Sequence, residues 1–441
     1  MQQPYIREGF GSNPYDNLTL IHPLGLAALL VGVVWTLVAA RKTAWLPILL
    51  LACFVPTSQR IVVATLDFNL IRILVAVGMF RILQRGEYKG GRITGLDRAV
   101  FLWIMASMVI HVARVGSTSA LVFKLGGAYD TLGLYIIARV WLRSTSDLIR
   151  LSRYAAIIAC ISVVGFTVEH FTGRNAFSIF GGVPEITKVR DGRLRCQGPF
   201  AHPILAGTFW VAFLPIVTVQ FLTRRAAFLQ IAGALCISAI VVFCSSSTPL
   251  LGWIVSVAFG LIWLIRDRAR LLCWATVVLT AGLHMVMEAP VWHLIARVTV
   301  VGGSTGNHRY KLIDAFINRW AEWFILGTNS TAHWGWFMFD VTNQFVKEGV
   351  RGGILGLLLF LLVLRRAFAS IGQRANSSID KKHAMLMWAI GTGIATHCVM
   401  FIGISITHSN TNMLIFLWLL AATQVKTVRR KVRKQSSPIS R

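Results

Sequence analysis

The stretch VRGGILGLLLFLLVLRR, residues 350–366, decides the fold class of this chain. Its apolar run has the composition of a membrane-spanning helix, and two arginines follow it. Similar runs recur from Leu20 to Thr423 in a chain of 441 residues with a mean hydropathy of +0.65. Only 14% of the residues are charged and 55% are hydrophobic, which excludes a soluble domain and a disordered chain. The sequence predicts an all-α, polytopic transmembrane helical bundle.

The apolar runs predict thirteen helices in a single membrane domain over residues 1–441. They lie near residues 20–40, 44–58, 64–82, 99–115, 120–142, 154–171, 203–222, 227–245, 250–265, 271–289, 350–364, 385–402 and 405–425. The second helix is short, so it could be tilted, re-entrant or merged with its neighbour. The number of spans is therefore twelve or thirteen.

Basic residues outnumber acidic ones by 44 to 17, which gives a net charge of +27. In a membrane protein such an excess first indicates cytoplasmic loops, not nucleic acid. With thirteen spans, all seven basic clusters fall on one face, including the tail at 425–441. That face is then cytoplasmic, with the C-terminus inside and the N-terminus outside. With twelve spans the N-terminus moves inside.

The remaining sequence signals are mostly negative. The seven cysteines form no CxxC or Cys/His cluster, so neither a disulfide framework nor a zinc site is indicated. The first 19 residues lack a basic segment followed by an apolar one, so no cleaved signal is expected.

Two long loops are predicted on the non-cytoplasmic face: the first loop, residues 172–202, and the second loop, residues 290–348. The first loop ends in RLRCQGPFAHPILAG, where Arg195 lies just before a helix that begins at Pro203. Free backbone N–H groups at a helix start attract anions, and a guanidinium beside them can bind the same anion. Arg195 is therefore a candidate phosphate ligand. His202 is predicted to make a structural contact at the helix start. The other basic residues of this loop are expected to be solvated.

The second loop contains GGSTGNHRYKLIDAFINRWAEWF, residues 302–324, which predicts a glycine-rich turn and a helix capped by Thr305 or Asn307. At helical spacing, Arg309 falls within an apolar stripe formed by Ile313, Phe316, Trp320 and Trp323. This cation then faces the membrane or the core. It either binds an anion near the helix start or extends to lipid headgroups.

The segment that follows, residues 326–353, is polar and aromatic. Its hydrogen-bonding groups are His333, Asp340, Asn343 and Glu348. Uncompensated ionisable groups near a membrane surface are costly and are often functional. Asp340 could also cap a helix or pair with a nearby arginine.

Three stretches in these loops together resemble the O-antigen ligase and polymerase superfamily of bacterial polysaccharide-assembly membrane proteins. They are RLRCQGPFAHPILAG at 193–207, GSTGNHRYKLIDAF at 303–316 and DVTNQFVKEGVRGG at 340–353, with support from LDFNLIR at 66–72 and YDTLGLYIIAR at 129–139. The chain looks most like members from exopolysaccharide clusters.

The resemblance implies an inverting, metal-independent glycosyltransferase without a cofactor, in the bacterial inner membrane. Such a protein transfers a glycan from undecaprenyl diphosphate to an acceptor hydroxyl on the periplasmic face. Two arginines hold the donor diphosphate, and Arg195 and Arg309 match those places. The expected partners are the lipid-linked donor, a glycan or lipid-linked acceptor and membrane lipids. A chain-length regulator and a flippase are expected from the family's context.

The resemblance leaves the general base open. In the ligases a His-Asn pair precedes the GxxG stretch, whereas this chain has Met338 and Phe339 there. This difference favours a polymerase over a ligase. The candidate catalytic residues are Asp340, then His333, then Glu348, and the secondary candidates are His202, His308 and Asn343.

A transporter of a small anion or a saccharide is the main alternative. Charged residues within predicted spans could line a path or form structural ion pairs. The pairs considered are Asp67 with Arg72 and Asp130 with Arg139. A scaffold without activity is a third hypothesis.

Overall fold

The computed structural model describes residues 18–63, 66–221, 227–297, 306–376, 381–407 and 409–425. Within these ranges the chain forms sixteen α-helices and two short antiparallel hairpins. The helices are α1 (Pro23–Val38), α2 (Leu46–Phe54), α3 (Leu70–Gln84), α4 (Gly95–Val115), α5 (Thr118–Trp141), α6 (Thr145–Thr172), α7 (Pro203–Phe221), α8 (Ala227–Phe243), α9 (Ser247–Leu261), α10 (Ala269–Val286), α11 (Leu294–Arg297), α12 (Gly306–Asn318), α13 (Trp320–Trp323), α14 (Gln344–Asn376), α15 (Lys381–Met400) and α16 (Asn410–Ala422). The strands are β1 (Arg60–Val63), β2 (Leu66–Asn69), β3 (Val189–Arg190) and β4 (Arg193–Leu194).

Each of the thirteen predicted apolar segments overlaps one of these helices, so the prediction of an all-α bundle is confirmed. Among the described residues, five helices are long and apolar enough to cross a membrane, or six if a bent pair counts as one span. The five lie at Gly95–Val115, Thr118–Trp141, Thr145–Thr172, Ser247–Arg268 and Gln344–Ala375. These helices indicate a multi-pass membrane protein. The predicted tail beyond Val425 lies outside the described residues.

Local sequence signals fix the ends of several helices. Thr94 and Ser144 each form a capping box with an aspartate three residues later, so α4 and α6 begin where the chain supplies both partners. Gly116 and Gly173 end the same two helices with left-handed backbones, at φ of 66° and 69°. A glycine tolerates this conformation without steric cost.

The centre of the bundle is formed by α7 and α16. Every residue of α16 from Thr411 to Ala422 is buried, and α7 packs against α8, α9, α15 and α16. A second contact joins α14 to α4. Helices that are apolar all round are expected in such a central position.

The structure differs from the prediction at the third helix, which was expected over 64–82. Helix α3 begins at Leu70, and Leu66–Asn69 before it form strand β2, in which Asn69 pairs with Arg60 of β1. The Asn69 side chain accepts a hydrogen bond from the backbone N–H of Arg72 at 2.8 Å. Asn69 therefore caps α3 and separates the helix from the strand.

The intramembrane charges also pair differently from the prediction. Arg72 forms a two-point ion pair with Asp130, at 2.8 and 2.6 Å, and it contacts Asp67 through the backbone carbonyl oxygen and not through the carboxylate. Arg139 pairs with Asp97 at 2.7 Å, and Asp67 pairs with Arg60. These partners belong to different elements of the chain, so hydropathy along the sequence could not reveal them.

The second loop is more broken than predicted. The expected helix over 308–324 is interrupted at Arg319, so α12 and α13 are separate and the Trp320 side chain is 57% exposed. Asn307 lies inside α12 and does not cap it, while Thr305 lies outside the described residues. Helix α14 begins six residues earlier than predicted and is broken at Gly353, at φ of 59°.

Candidate functional site

A cavity of about 2900 Å³ joins the two loops to the helices beneath them. Six of the predicted site residues line it: Arg195, His202, His308, Arg309, Asp340 and Glu348. His333 and Asn343 are not among the lining residues of this cavity in the described ranges. The structure therefore brings the two predicted arginines to one space, although they lie more than a hundred residues apart in the chain.

The position of Arg195 is set by the β3–β4 hairpin and by a buried carboxylate. The Arg195 N–H donates to the Lys188 carbonyl oxygen at 3.0 Å, which closes the hairpin. Two residues shortly after Arg195 donate their backbone N–H groups to Glu169: Gln197 to Oε1 at 3.0 Å and Gly198 to Oε2 at 2.8 Å. A backbone held on both sides of Arg195 leaves its side chain few directions to point.

Glu169 is a residue that the sequence analysis missed. It lies at the C-terminal end of α6, is fully buried, and also accepts a hydrogen bond from the Thr187 hydroxyl at 3.1 Å. Three donors from the first loop thus converge on this carboxylate. The sequence did contain a signal for Glu169, which is a single acid in an apolar run. Such a carboxylate is buried only when hydrogen-bond donors or a cation compensate it.

The Arg195 guanidinium is half-buried, and its Nε is enclosed without a hydrogen-bond partner among the described residues. No ion pair joins it to a carboxylate within those residues. Burial lowers the pKa of Arg195, and the neighbouring charge of Arg190 lowers it further. Both effects disfavour a cation at this position, so a bound anion would relieve them.

Arg309 is half-buried on α12 and is held by its own side-chain contacts. Its Nη2 donates to the Thr248 hydroxyl in the first turn of α9 at 2.8 Å. Its Nε is buried without a partner in the described part of the chain, and Gly403 provides the space beside it. Burial lowers the pKa of Arg309, and here too Arg190 adds repulsion.

Arg190 is thus an electrostatic neighbour of both arginines. The sequence analysis assigned it to the solvated charges of the first loop, but it lines the cavity. It also pairs with Asp191, with 3.8 Å between Nε and Oδ2. Three arginines from two separate loops therefore face one space, which concentrates positive charge there.

The two histidines have positioning roles. His202 accepts the N–H of Ile204 on Nδ1 at 3.2 Å, which agrees with the predicted contact at the start of α7. Burial, and then the charge of Arg195, lowers the pKa of His202 to about 3, so it is neutral at pH 7. The Nε2 of His308 lies 3.3 Å from the Asp340 carbonyl oxygen and links α12 to the segment before α14.

Asp340 is half-buried, and its carboxylate accepts no hydrogen bond and forms no ion pair among the residues that the structure describes. The predicted alternative, a pair with Arg309 or Arg351, is not seen in those residues. Burial raises the pKa of Asp340, while the charges of Lys347 and His308 oppose the rise. A carboxylate that lines a cavity and lacks a fixed partner can accept a proton from a bound molecule.

The other base candidates are already occupied. Glu348 is buried and accepts hydrogen bonds from the Trp103 indole at 2.8 Å and from the Gln344 amide at 2.6 Å. The exposed His333 contacts Glu322, with 2.6 Å between Nε2 and Oε2. Asp340 therefore has the geometry that suits a base best.

Asn343 is the N-cap residue of α14. It accepts the Val346 N–H on Oδ1 at 3.1 Å and donates to the Ile402 carbonyl oxygen at 3.3 Å. Both ends of the amide are used, so its contacts are structural.

Within the described ranges, no three His, Cys, Asp or Glu side chains cluster closely enough to hold a metal ion. No model of a known protein family matches the chain, and no curated protein matches it either. The site must therefore be interpreted from its own geometry and charge.

Proposed function

We propose that this protein is an inverting, metal-independent glycosyltransferase of polymerase or ligase type. It transfers a glycan from undecaprenyl diphosphate to an acceptor hydroxyl on the periplasmic face, in exopolysaccharide or O-antigen biosynthesis. The proposal rests on the sequence resemblance and on the chemistry that the cavity offers.

One observation carries the proposal: Arg195 and Arg309, from two separate loops, line one cavity, and each keeps a buried Nε without a hydrogen-bond partner in the described residues. Burying uncompensated cations is costly unless an anion completes the site. A guanidinium donates hydrogen bonds in a planar fork that fits phosphate oxygens. A diphosphate offers enough oxygens and charge for both side chains.

The reaction then proceeds by direct displacement. The acceptor hydroxyl oxygen attacks the anomeric carbon of the donor sugar, and its proton passes to the Asp340 carboxylate. The bond from that carbon to the diphosphate oxygen breaks, and its electron pair leaves with undecaprenyl diphosphate. Arg195 and Arg309 stabilise the negative charge that grows on this leaving group. Attack from the opposite side inverts the configuration of the anomeric carbon.

The proposed topology has thirteen spans in the bacterial inner membrane. All seven basic clusters then face the cytoplasm, and the first and second loops face the periplasm. This arrangement places the cavity where a flipped, lipid-linked glycan is presented. A flippase and a chain-length regulator are the partners expected beside it.

The test uses purified full-length protein, a lipid-linked donor and the variants Arg195→Ala and Arg309→Ala. We expect each variant to lower turnover by roughly 100-fold, because each removes one donor group from the developing charge. Arg195→Lys and Arg309→Lys should recover only part of the rate, since a lysine cannot make the two-point contact. Product length and released undecaprenyl diphosphate are the measurements.

The matched control is Arg174→Gln in the same first loop. Arg174 is exposed and pairs with the exposed Glu185 at 3.3 Å, so its loss should leave turnover within twofold. Normal turnover in both alanine variants would exclude the diphosphate-binding role.

The transport alternative has one observation in its favour: Lys124 and Lys347, in candidate spans, line the same cavity. Other charged residues there are already paired, as Arg72 is with Asp130. Sealed vesicles that contain the protein but no lipid-linked sugar distinguish the two functions. Accumulation of a labelled anion or saccharide in these vesicles would favour transport.

A further inference from the structure

A second group of cations lines the cavity, formed by Lys124 on α5 and by Lys347 and Arg351 on α14. Lys347 and Arg351 are one helical turn apart and lie on the same face of the first segment of α14, before the break at Gly353. We call these three residues the lysine group. The resemblance assigns no role to them.

The two lysines of this group have little compensation within the described part of the protein. Lys124 and Lys347 make no hydrogen bond and no ion pair with the residues that the structure describes. Glu348 is the acid beside them and offsets part of their charge, while its hydrogen bonds come from Trp103 and Gln344. Like charges that share a half-buried space repel one another, so an anion in this part of the cavity would be stabilised.

Asp340 lines the same cavity as the lysine group and the arginine pair, Arg195 and Arg309. Its electrostatic neighbours are Lys347, from the lysine group, and His308, which is next to Arg309 in the chain. A donor diphosphate held by the arginine pair and an anion held by the lysine group would therefore share this cavity with the proposed base. In the proposed reaction the acceptor hydroxyl lies next to the Asp340 carboxylate.

We propose that the lysine group binds a carboxylate of a sugar acid in the acceptor glycan, so that the substrate of this protein is an acidic polysaccharide. The proposal rests on the proposed function. Lys124 and Lys347 have no ion-pair partner among the described residues, and a carboxylate of the substrate would supply one.

A second diphosphate fits this position less well. It would crowd the Asp340 carboxylate with like charge. Two of the three cations are lysines, which act as point charges, whereas the first site is formed by arginines, whose planar fork can contact two phosphate oxygens at once. The difference in residue type therefore assigns the diphosphate to the arginine pair and the sugar acid to the lysine group.

The test measures equilibrium binding to the full-length protein in lipid nanodiscs. The three probes are an oligosaccharide that contains glucuronic acid, the same oligosaccharide with its carboxyl groups reduced to alcohols, and geranylgeranyl diphosphate. We expect the acidic oligosaccharide to bind at least tenfold more tightly than its reduced form. The difference corresponds to about one charge-assisted hydrogen bond, which the reduced form cannot accept. This comparison needs no substitution, so it does not depend on the folding of a variant.

Variants then locate the contact. Lys124→Gln and Lys347→Gln should each weaken binding of the acidic oligosaccharide by about tenfold and change geranylgeranyl diphosphate binding less than twofold. Lys124→Arg and Lys347→Arg keep the charge and should retain at least a third of the affinity. Arg309→Gln should show the reverse pattern, and Arg174→Gln is the neutral control.

Each result has a distinct meaning. Equal binding of the acidic and reduced oligosaccharides would overturn the acidic substrate. If Lys124→Gln and Lys347→Gln lose diphosphate binding while binding of the acidic oligosaccharide is unaffected, the lysine group binds a lipid phosphate. That result would also overturn the acidic substrate. Unchanged diphosphate binding in Arg309→Gln would instead contradict the proposed function. The comparison of the acidic and reduced oligosaccharides would not be affected by that result.

Discussion

Arg195 in the first loop is fixed through its backbone, whereas Arg309 in the second loop is fixed through its side chain. The N–H of Arg195 donates to the Lys188 carbonyl oxygen, and the N–H groups of Gln197 and Gly198 donate to the Glu169 carboxylate. Arg309 is on a helix, and its guanidinium is placed by the Thr248 hydroxyl. The first loop is thus a rigid support for one cation, and the second loop combines a cation with the proposed base.

This difference predicts which kinetic constant each change affects. Substitution of a residue that positions Arg195 or Arg309 should change donor binding or the stabilisation of charge on the leaving group. Asp340 should affect only the proton-transfer step. Substitutions in the two loops can therefore be separated by their kcat and KM values.

The largest effect is expected for Asp340→Asn, which removes the proton acceptor. Turnover should fall by roughly 100-fold or more, with little change in the donor KM. The wild-type rate should fall on the acid side as pH drops through the pKa of Asp340, because only the ionised carboxylate accepts a proton. Burial raises that pKa, so the fall should begin at a higher pH than for an exposed aspartate.

The control for Asp340 is His333→Gln, measured over the same pH range. His333 is exposed and contacts Glu322 outside the cavity lining, so this variant should keep both the rate and the acid fall. His202 cannot cause the fall near neutral pH, since its pKa is about 3. An acid fall that persists in Asp340→Asn and disappears in His333→Gln would move the base to His333.

The next largest effect is expected for Glu169→Ala, which releases the first loop. The loss of a buried acceptor with three donors should lower the free energy of unfolding by about 3 kcal/mol. Turnover should fall by roughly 30-fold, because Arg195 loses its fixed position. Thermal unfolding and steady-state kinetics of the purified protein measure the two effects.

Glu185→Gln is the matched control in the same loop, because this acid is exposed and pairs only at the surface with Arg174. Glu169→Gln keeps one acceptor oxygen and should recover part of both losses. If Glu169→Ala unfolds at the wild-type temperature and keeps its turnover, the first loop does not depend on this carboxylate.

Hydropathy was sufficient to predict the helices, because each span has to hide its backbone in lipid whatever its neighbours are. It was not sufficient for the β1–β2 hairpin, since the alternating stretch LDFN at 66–69 is short and runs directly into the apolar residues of α3, which Asn69 caps. The partner of Arg72 was missed for a related reason. A pairing with Asp130 depends on how α3 packs on α5, which no local pattern contains.

The candidate site was predictable only in part. Arg195 and Arg309 were found because each is a cation beside a predicted helix start. Thr248 and Gly403 were not, because a hydroxyl and a glycine have no distinctive pattern and act only through contact with a distant side chain. Contacts of this kind arise only when distant parts of the chain fold together.

Gly403→Ala should have a moderate effect on the second loop. A methyl group at Gly403 would lie 2.9 Å from the Thr248 hydroxyl oxygen and 3.0 Å from Cζ and Nε of Arg309. These are ends of flexible side chains, so the fold should survive while the guanidinium moves. The donor KM should rise about tenfold with little change in kcat, since a misplaced cation weakens binding.

Gly372→Ala is the matched control for this substitution, because nothing lies within 4 Å of a methyl group at Gly372. It should leave the kinetics unchanged and stabilise α14 slightly, since alanine favours a helix over glycine. A normal donor KM in Gly403→Ala would show that Arg309 does not need its observed position.

The smallest effect is expected for Thr248→Val, which keeps the side-chain volume and removes the hydroxyl. The variant loses one hydrogen bond, so the donor KM should rise about fivefold, the equivalent of about 1 kcal/mol. Thr248→Ser keeps the hydroxyl and should behave like the wild type. In the double variant Thr248→Val with Arg309→Ala, the threonine change should add nothing further, because its only proposed role is to place Arg309. An additive loss in that cycle would mean that Thr248 acts on the bundle and not on the arginine, and that the two loops hold their arginines in more similar ways than the contacts suggest.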